Sequence, residues 1–259
     1  MKEYRTRELY GNFYEKPGRP FVVVIGGSRP GLPAPLDERF LNYLKENFNV
    51  LLLAYFGVGE LPGSLERVPI EYFVNAVSSI KKEYGIENSQ VIVIGQSKGG
   101  EAALLLTNYM KSAVTIALVP SCYVFQGLPS EFTPERFSDA KSSWTYQNKE
   151  LPYIKFCFTP EIALDVMRKK YCRCYELSIE KNYNDKACIN VDQYPGKILL
   201  LSEPDDIYWP SRKMCGMLVK NSPDNSRIQH ICLDLEGHYL MNYKQSVDAI
   251  IEYLDSNFL

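Results

Sequence analysis

The chain has 259 residues, of which 46% are hydrophobic and 23% charged, and a formal net charge of -2. This is the composition of a soluble globular protein, long enough for one large α/β domain or two small ones. It offers no electrostatic footprint for nucleic acid or an anionic membrane, and no apolar run nears the roughly 18 residues of a membrane span.

The N-terminus, Met1-Lys2-Glu3-Tyr4-Arg5, is charged and lacks an apolar signal-peptide core, so a cytoplasmic location is expected. Seven scattered cysteines then read as reduced thiols rather than a disulfide framework. Cys172-Arg173-Cys174 would need two further ligands to hold zinc, and the only histidines are His230 and His238. No metal and no cofactor are expected.

Residues 4–16 carry Tyr4, Leu9, Tyr10, Phe13 and Tyr14 among charges, the pattern of a short edge hairpin. Phe21–Ile25 is the first buried strand, and it runs into a Gly26-Gly27-Ser28-Arg29-Pro30-Gly31 loop. Asp37 caps a helix through Phe40, Leu41 and Leu44 to about Asn47. Val50–Ala54 is the next strand. Pro69 leads a helix with apolar residues at Ile70, Phe73, Val74, Val77 and Ile80, one face of a 3.6-residue period.

Val91-Ile92-Val93-Ile94 is a β-branched run, followed by Gly95-Gln96-Ser97-Lys98-Gly99 and a helix-forming run from Glu101 to Leu106. A strand, a G-x-S-x-G turn and a helix make the nucleophile elbow of the α/β-hydrolases. A side chain at Gly95 or Gly99 would collide with the neighbouring strand or helix while the serine is held strained. Ala113–Val119 is another strand, so strand and helix alternate from residue 21 onward, which predicts a mostly parallel sheet covered on both faces.

The alternation breaks between Pro120 and Pro195. That segment holds Phe125, Phe132, Trp144, Tyr146, Tyr153, Phe156 and Phe158, a short helix over Glu161–Lys170, and a basic Arg168-Lys169-Lys170 patch. Two readings stand together: a lid supplying apolar surface to a substrate, and an insertion that packs as a satellite core. Lys197–Leu201 restores the rhythm as a strand, followed by a helix from Arg212 to Lys220, a strand from Ile228 to Leu233, and a closing helix from Val247 to Phe258. The expectation is one α/β-hydrolase domain over residues 1–259, with a lid or insertion at 121–195.

A serine hydroxyl needs a base to take its proton. His230 begins a strand and reads as a strand-end histidine. His238 lies in the loop between the last strand and the last helix, where this fold keeps its base, and the order serine, acid, histidine is preserved. The acid belongs in the loop after Lys197–Leu201, where Asp205 and Asp206 both qualify; Asp234 is a weaker third choice. Oxyanion-hole amides are expected from Lys98 and from the Gly27-Ser28 region. The Lys98 side chain reads as a solvated residue at a helix start, where it opposes the helix dipole.

Several segments together resemble the C-terminal catalytic domain of the acyl-CoA thioesterase and bile acid-CoA:amino acid N-acyltransferase family. They are GQSKGGEAAL at the elbow, Leu51 to Val77, DDIYWPS from Asp205 to Ser211, GHYL from Gly237 to Leu240, and the Gly26-Gly27 pair. The resemblance covers most of 20–120 and 190–258 and is weak across 121–189. It implies Ser97 as nucleophile, Asp206 rather than Asp205 as acid, and His238 as base. Animal members carry an N-terminal β-sandwich, whereas about 20 residues precede the first core strand here, so that domain is expected to be absent. Acyltransferase members have cysteine as nucleophile, so the serine tilts the expectation towards hydrolysis of a small-molecule acyl thioester. Hydrolysis of carboxylic esters, or acyl transfer to another acceptor, shares the chemistry up to the acyl-enzyme. A hydrolase-fold binding protein with a dormant site is the non-enzymatic alternative.

Overall fold

The computed structural model describes residues 1–131, 139–235 and 237–258; Phe132 lies outside them. The strands are β1 (Lys2–Arg5), β2 (Tyr10–Tyr14), β3 (Phe21–Ile25), β4 (Asn49–Leu53), β5 (Val68–Pro69), β6 (Val91–Gln96), β7 (Val114–Leu118), β8 (Trp144–Tyr146), β9 (Lys149–Glu150), β10 (Lys197–Ser202) and β11 (Ile228–Cys232). The helices are α1 (Glu38–Asn47), α2 (Ile70–Tyr84), α3 (Lys98–Leu106), α4 (Pro160–Met167), α5 (Cys172–Asn182), α6 (Ser211–Asn221) and α7 (Lys244–Asn257). None of the described helices is long and apolar enough to cross a membrane.

Among the described residues the main sheet runs β1-β2-β4-β3-β6-β7-β10-β11. The β1–β2 hairpin pairs antiparallel and joins β4 antiparallel; from β4 to β11 every pairing is parallel. The central strands are apolar at nearly every position because both faces are covered. Val23, Ile25, Leu51 and Val93 face a cluster with α2, α3 and α6. Their alternates Val22, Val24, Val50 and Ile92 face Phe40 and Leu44 of α1 and Val247, Ile250 and Leu254 of α7. The two-residue side-chain period of a strand thus divides one run into two cores.

Local signals account for most boundaries. The Asp37 carboxylate accepts the Phe40 amide at 3.0 Å and starts α1. Gly85, at φ 66°, ends α2 in the left-handed conformation. The 120–195 segment contributes to the sheet's own core: Phe125, Trp144 and Ile154 are buried in the cluster over α2 and α3. It is therefore not a separate satellite. The expected helix at 161–170 is shorter, because Lys169 takes a positive φ of 59° just after α4. A second helix, α5, follows it.

β6 lies at the middle of the sheet, so the turn after it sits at the carboxyl ends of the strands, where open α/β sheets bind ligands. Glycine is required at that turn. A Cβ on Gly95 would overlap the Gly99 carbonyl, and one on Gly99 would lie 2.5 Å from the Ile25 carbonyl oxygen and closer to that of Gly26. Gly216, inside α6, has nothing within 4 Å of an added Cβ. Gly99→Ala is expected to cost about 3 kcal/mol or more through backbone overlap, whereas Gly216→Ala should stabilise by about 0.5–1 kcal/mol. Urea midpoints check both; equal effects would contradict the packing at the elbow.

Candidate active site

Ser97 occupies the turn between β6 and α3 with φ 58° and ψ -120°, a strained conformation for a residue with a side chain. Backbone bonds clamp it there. Its amide donates to Leu118 O at 2.8 Å, and its carbonyl accepts from Glu101 N at 2.9 Å. Gln96 holds the neighbouring loop, its side-chain oxygen accepting the Met241 amide at 2.9 Å.

The His238 ring joins the elbow to the loop after β10. Its Nε2 is 2.8 Å from Ser97 Oγ, and its Nδ1 is 2.8 and 2.9 Å from the two oxygens of Asp206. His238 and Asp206 are buried, at 3% and 4% exposure, while Asp205 points to solvent. Asp206 is fixed further by the Tyr208 amide, which donates to its Oδ1 at 2.9 Å. The Tyr208 ring lies over the imidazole at 4.5 Å between centroids, and Trp209 approaches its edge at 6.0 Å while donating its indole N–H to Val119 O at 2.9 Å. Two of the three candidates for the acid are thereby separated by burial and direction. His230 engages Ser202 Oγ at 2.7 Å on the adjacent strand instead.

Gly27 packs against the serine, with its Cβ direction 3.6 Å from Ser97 Oγ. The Tyr55 hydroxyl, fully buried, donates to Gly27 O at 2.6 Å and so anchors the loop that carries Gly27 and Ser28. Gly27, Ser28, Arg29, Gln96, Ser97, His238, Tyr239 and Asn242 line a cavity of about 400 Å³. Sequence reasoning missed Tyr55, Gln96 and Tyr208. Only DDIYWPS and the stretch from Leu51 to Val77 hinted at the two tyrosines.

Lys98 is not solvated. Its side chain is 2% exposed, and its ammonium donates to both Glu101 oxygens at 2.9 Å. The Trp144 indole donates to Glu101 Oε1 at 2.7 Å, and the Phe125 amide reaches the same oxygen at 3.5 Å. Burial pushes the Lys98 ammonium below its ordinary range and the Glu101 carboxyl above its own; the attraction of the pair opposes both shifts. A carboxylate one turn into the helix offsets the unfavourable cation at the helix start.

These features define the fold of an α/β-hydrolase, with a Ser–His–Asp hydrogen-bonded series at the carboxyl ends of the strands. The chain belongs to the family described as BAAT / Acyl-CoA thioester hydrolase C terminal, whose family model matches residues 68–243. It is 23% identical over 228 residues to acyl-coenzyme A thioesterase 2, mitochondrial, of Mus musculus, across 85% of this chain and 45% of that protein. It is 25% identical over 225 residues to acyl-coenzyme A thioesterase 1 of Homo sapiens, across 85% of this chain and 49% of that protein. The chain spans about half the length of these relatives. Among solved structures it is similar in fold to a Paleococcus ferrophilus monoacylglycerol lipase, with TM-score 0.58 and 15% identity over 96% of this chain and 99% of that one.

Lys98→Met leaves the Glu101 charge buried without its partner and is expected to cost about 3–5 kcal/mol. Lys98→Met with Glu101→Gln should recover most of that loss, because no net charge remains buried. Denaturant midpoints of the two variants decide it, and a double variant no better than the single would refute the account.

Glu203, buried beside the Asp206 loop, has one carboxylate oxygen without a hydrogen-bond partner among the described residues. Burial first, then the charges of Asp206, Asp205 and Asp234, raise its carboxyl above the ordinary 4.5, against a bond from the Asp205 amide. The folded state therefore holds this proton more tightly than the unfolded chain. The stability it contributes is full below 4.5 and is lost as pH rises through the raised folded value. Glu203→Gln should gain on wild type in urea midpoint as pH rises from about 4.5 through the raised folded value. A difference that does not change with pH would contradict this.

Proposed function

We propose that the protein hydrolyses acyl thioesters through an acyl-enzyme, with Ser97 as nucleophile, His238 as general base and Asp206 as its orienting acid. What supports the reading is the unbroken series of contacts, 2.8 Å from Ser97 Oγ to His238 Nε2 and 2.8 Å from His238 Nδ1 to Asp206 Oδ1. The relatives' names support the thioester class, and the serine favours water as acceptor.

Ser97 Oγ attacks the thioester carbonyl as His238 Nε2 takes the hydroxyl proton. Negative charge gathers on the carbonyl oxygen, and the backbone amides of Lys98 and of Gly27 or Ser28 are the donors for it. Collapse breaks the C–S bond, and the departing sulfur takes the proton from His238. Water then attacks the acyl-serine ester, giving one proton to His238. That proton returns to Ser97 as the carboxylic acid leaves. The net change is one water consumed, with one acid and one thiol formed. Buried Asp206 holds the tautomer in which Nδ1 is protonated and Nε2 is free to accept.

A fluorophosphonate should label wild type and fail to label Ser97→Ala; equal labelling would sink the nucleophile assignment. Asp206→Asn should lower kcat/KM on the order of 10³–10⁴-fold, while Asp205→Asn stays within about threefold, because that carboxylate faces solvent. The substrate class is decided by free-thiol release from acyl-CoAs set against p-nitrophenyl ester hydrolysis. Ester turnover without CoA release would reject the thioester assignment.

A further inference from the structure

An amide stabilises an oxyanion best when its N–H is aimed before the charge appears, so whatever fixes the backbone behind it bears on the rate. The Lys98 amide is fixed by the helix it begins. The amides opposite it belong to the loop after β3, where no helix holds them. Gly26, Gly27 and Ser28 of that loop line the cavity that also holds Ser97 and His238. Among the described residues the amides of Gly27 and Ser28 donate to no protein acceptor.

Tyr55, just after β4, stands behind this loop and is 1% exposed. Its hydroxyl donates to Gly27 O at 2.6 Å and has Gly26 O at 3.2 Å as a second acceptor. Among the described residues every peptide bond is trans, so the C=O and N–H of one peptide plane point opposite ways. The Gly26 and Gly27 carbonyls face the buried phenol. The N–H groups of Gly27 and Ser28 share those two planes, so they turn away from the core, towards the cavity. Two successive amides turned to one side make a donor pair suited to an anion.

The phenol is itself held firmly. Its ring lies 5.3 Å from that of Phe73 and 5.8 Å from that of Trp144. The Ala54 amide donates to Tyr10 O at 2.9 Å, and the Ala54 carbonyl accepts the Tyr72 hydroxyl at 2.7 Å. The Gly31 amide donates to Phe56 O at 2.9 Å, so the far end of the loop returns to the same stretch. Burial first, then the Glu101 charge, raise the Tyr55 phenol well above its ordinary range, and it stays a donor across neutral pH. The Trp144 that packs on Tyr55 also donates to Glu101, the partner of Lys98. One buried cluster thus backs both sides of the oxyanion site.

We propose that Tyr55 is a positioning residue for the transition state: by binding the Gly26 and Gly27 carbonyls from the core side, its hydroxyl aims the Gly27 and Ser28 amides at the developing oxyanion. The assignment rests on Ser97 being the nucleophile. Tyr55 touches no substrate, because the loop lies between its hydroxyl and the cavity. The benefit is felt where the carbonyl oxygen carries charge, so it appears in kcat rather than in KM.

Tyr55→Phe removes one oxygen and keeps the ring. Labelling by a fluorophosphonate, whose phosphonyl oxygen takes the oxyanion's place, should slow about 10–100-fold, part of what loss of a whole donor costs. For a p-nitrophenyl ester kcat should fall by the same factor, with KM within about twofold. The limb of the pH–rate profile set by the base should keep its position, since Tyr55 takes no part in the Ser97–His238–Asp206 contacts. Tyr194→Phe is the control. That buried phenol bonds Ser112 and Thr115 at 2.9 and 3.1 Å at the amino end of β7, away from the elbow. Its loss should lower the urea midpoint and leave the labelling rate within about twofold. Labelling of Tyr55→Phe within about twofold of wild type, a displaced base limb, or equal slowing in Tyr194→Phe overturns the proposal. Should Tyr55→Phe fail to fold, wild type decides by NMR. In its adduct with a trifluoromethyl ketone the amide proton of Gly27 or Ser28 should move downfield together with that of Lys98; if neither moves, the role of Tyr55 is refuted. A wild type unlabelled at Ser97 overturns the catalytic reading and this role together, whereas a labelled wild type with an unslowed Tyr55→Phe overturns this role alone.

Discussion

The contact between the turn after β6 and the end of β3 is the constraint on which the rest depends. The backbone of Gly99 lies so close to the Ile25 and Gly26 carbonyls that no side chain fits between them. This closeness lets α3 start directly over the sheet and forces Ser97 to φ 58°. The strain persists because the neighbours over-determine it, through the Leu118 and Glu101 backbone bonds on either side. The same contact brings Gly27 against the serine, so one approach of two backbones sets both the exposed hydroxyl and the loop facing it.

The buried Lys98–Glu101 pair extends that constraint outward. Glu101 collects the Lys98 ammonium, the Trp144 indole and the Phe125 amide, and the last two belong to the segment that interrupts the strand–helix alternation. A buried ion pair contributes little net stability compared with an apolar pair of the same volume, but it tolerates few alternative arrangements. Here it ties the residue after the serine to residues 27 and 46 positions later in the chain. The 120–195 segment is in this way part of the sheet's own core at Phe125 and Trp144 and a cavity wall at Phe156 and Tyr175.

Much of this was legible in the chain. Apolar β-branched runs marked the central strands, because strands buried on both faces have no polar alternation to confuse them. Asp37 marked its helix by capping it, and the glycine spacing of 95–99 marked the elbow by its steric need. Other parts were illegible for physical reasons. α5 buries only Cys174 and Ser178, so its sequence carries little apolar period. The environment of Lys98 depends on Trp144, 43 residues from Glu101, and a lysine beside a helix start looks the same whether it is solvated or paired. Asp205 and Asp206 are adjacent, so only the path of the loop could send one to solvent and the other to His238.

The sequence by itself determined the α/β alternation, the strained turn and the few residue types able to do its chemistry, because those follow from steric and hydrophobic patterns spanning a handful of residues. Tertiary structure alone decided which carboxylate faces the imidazole and where the Lys98 charge is neutralised. Those outcomes rest on contacts between residues 32 apart for Asp206 and His238 and 141 apart for Ser97 and His238. No local pattern can encode a distance that exists only once the sheet has closed around its core.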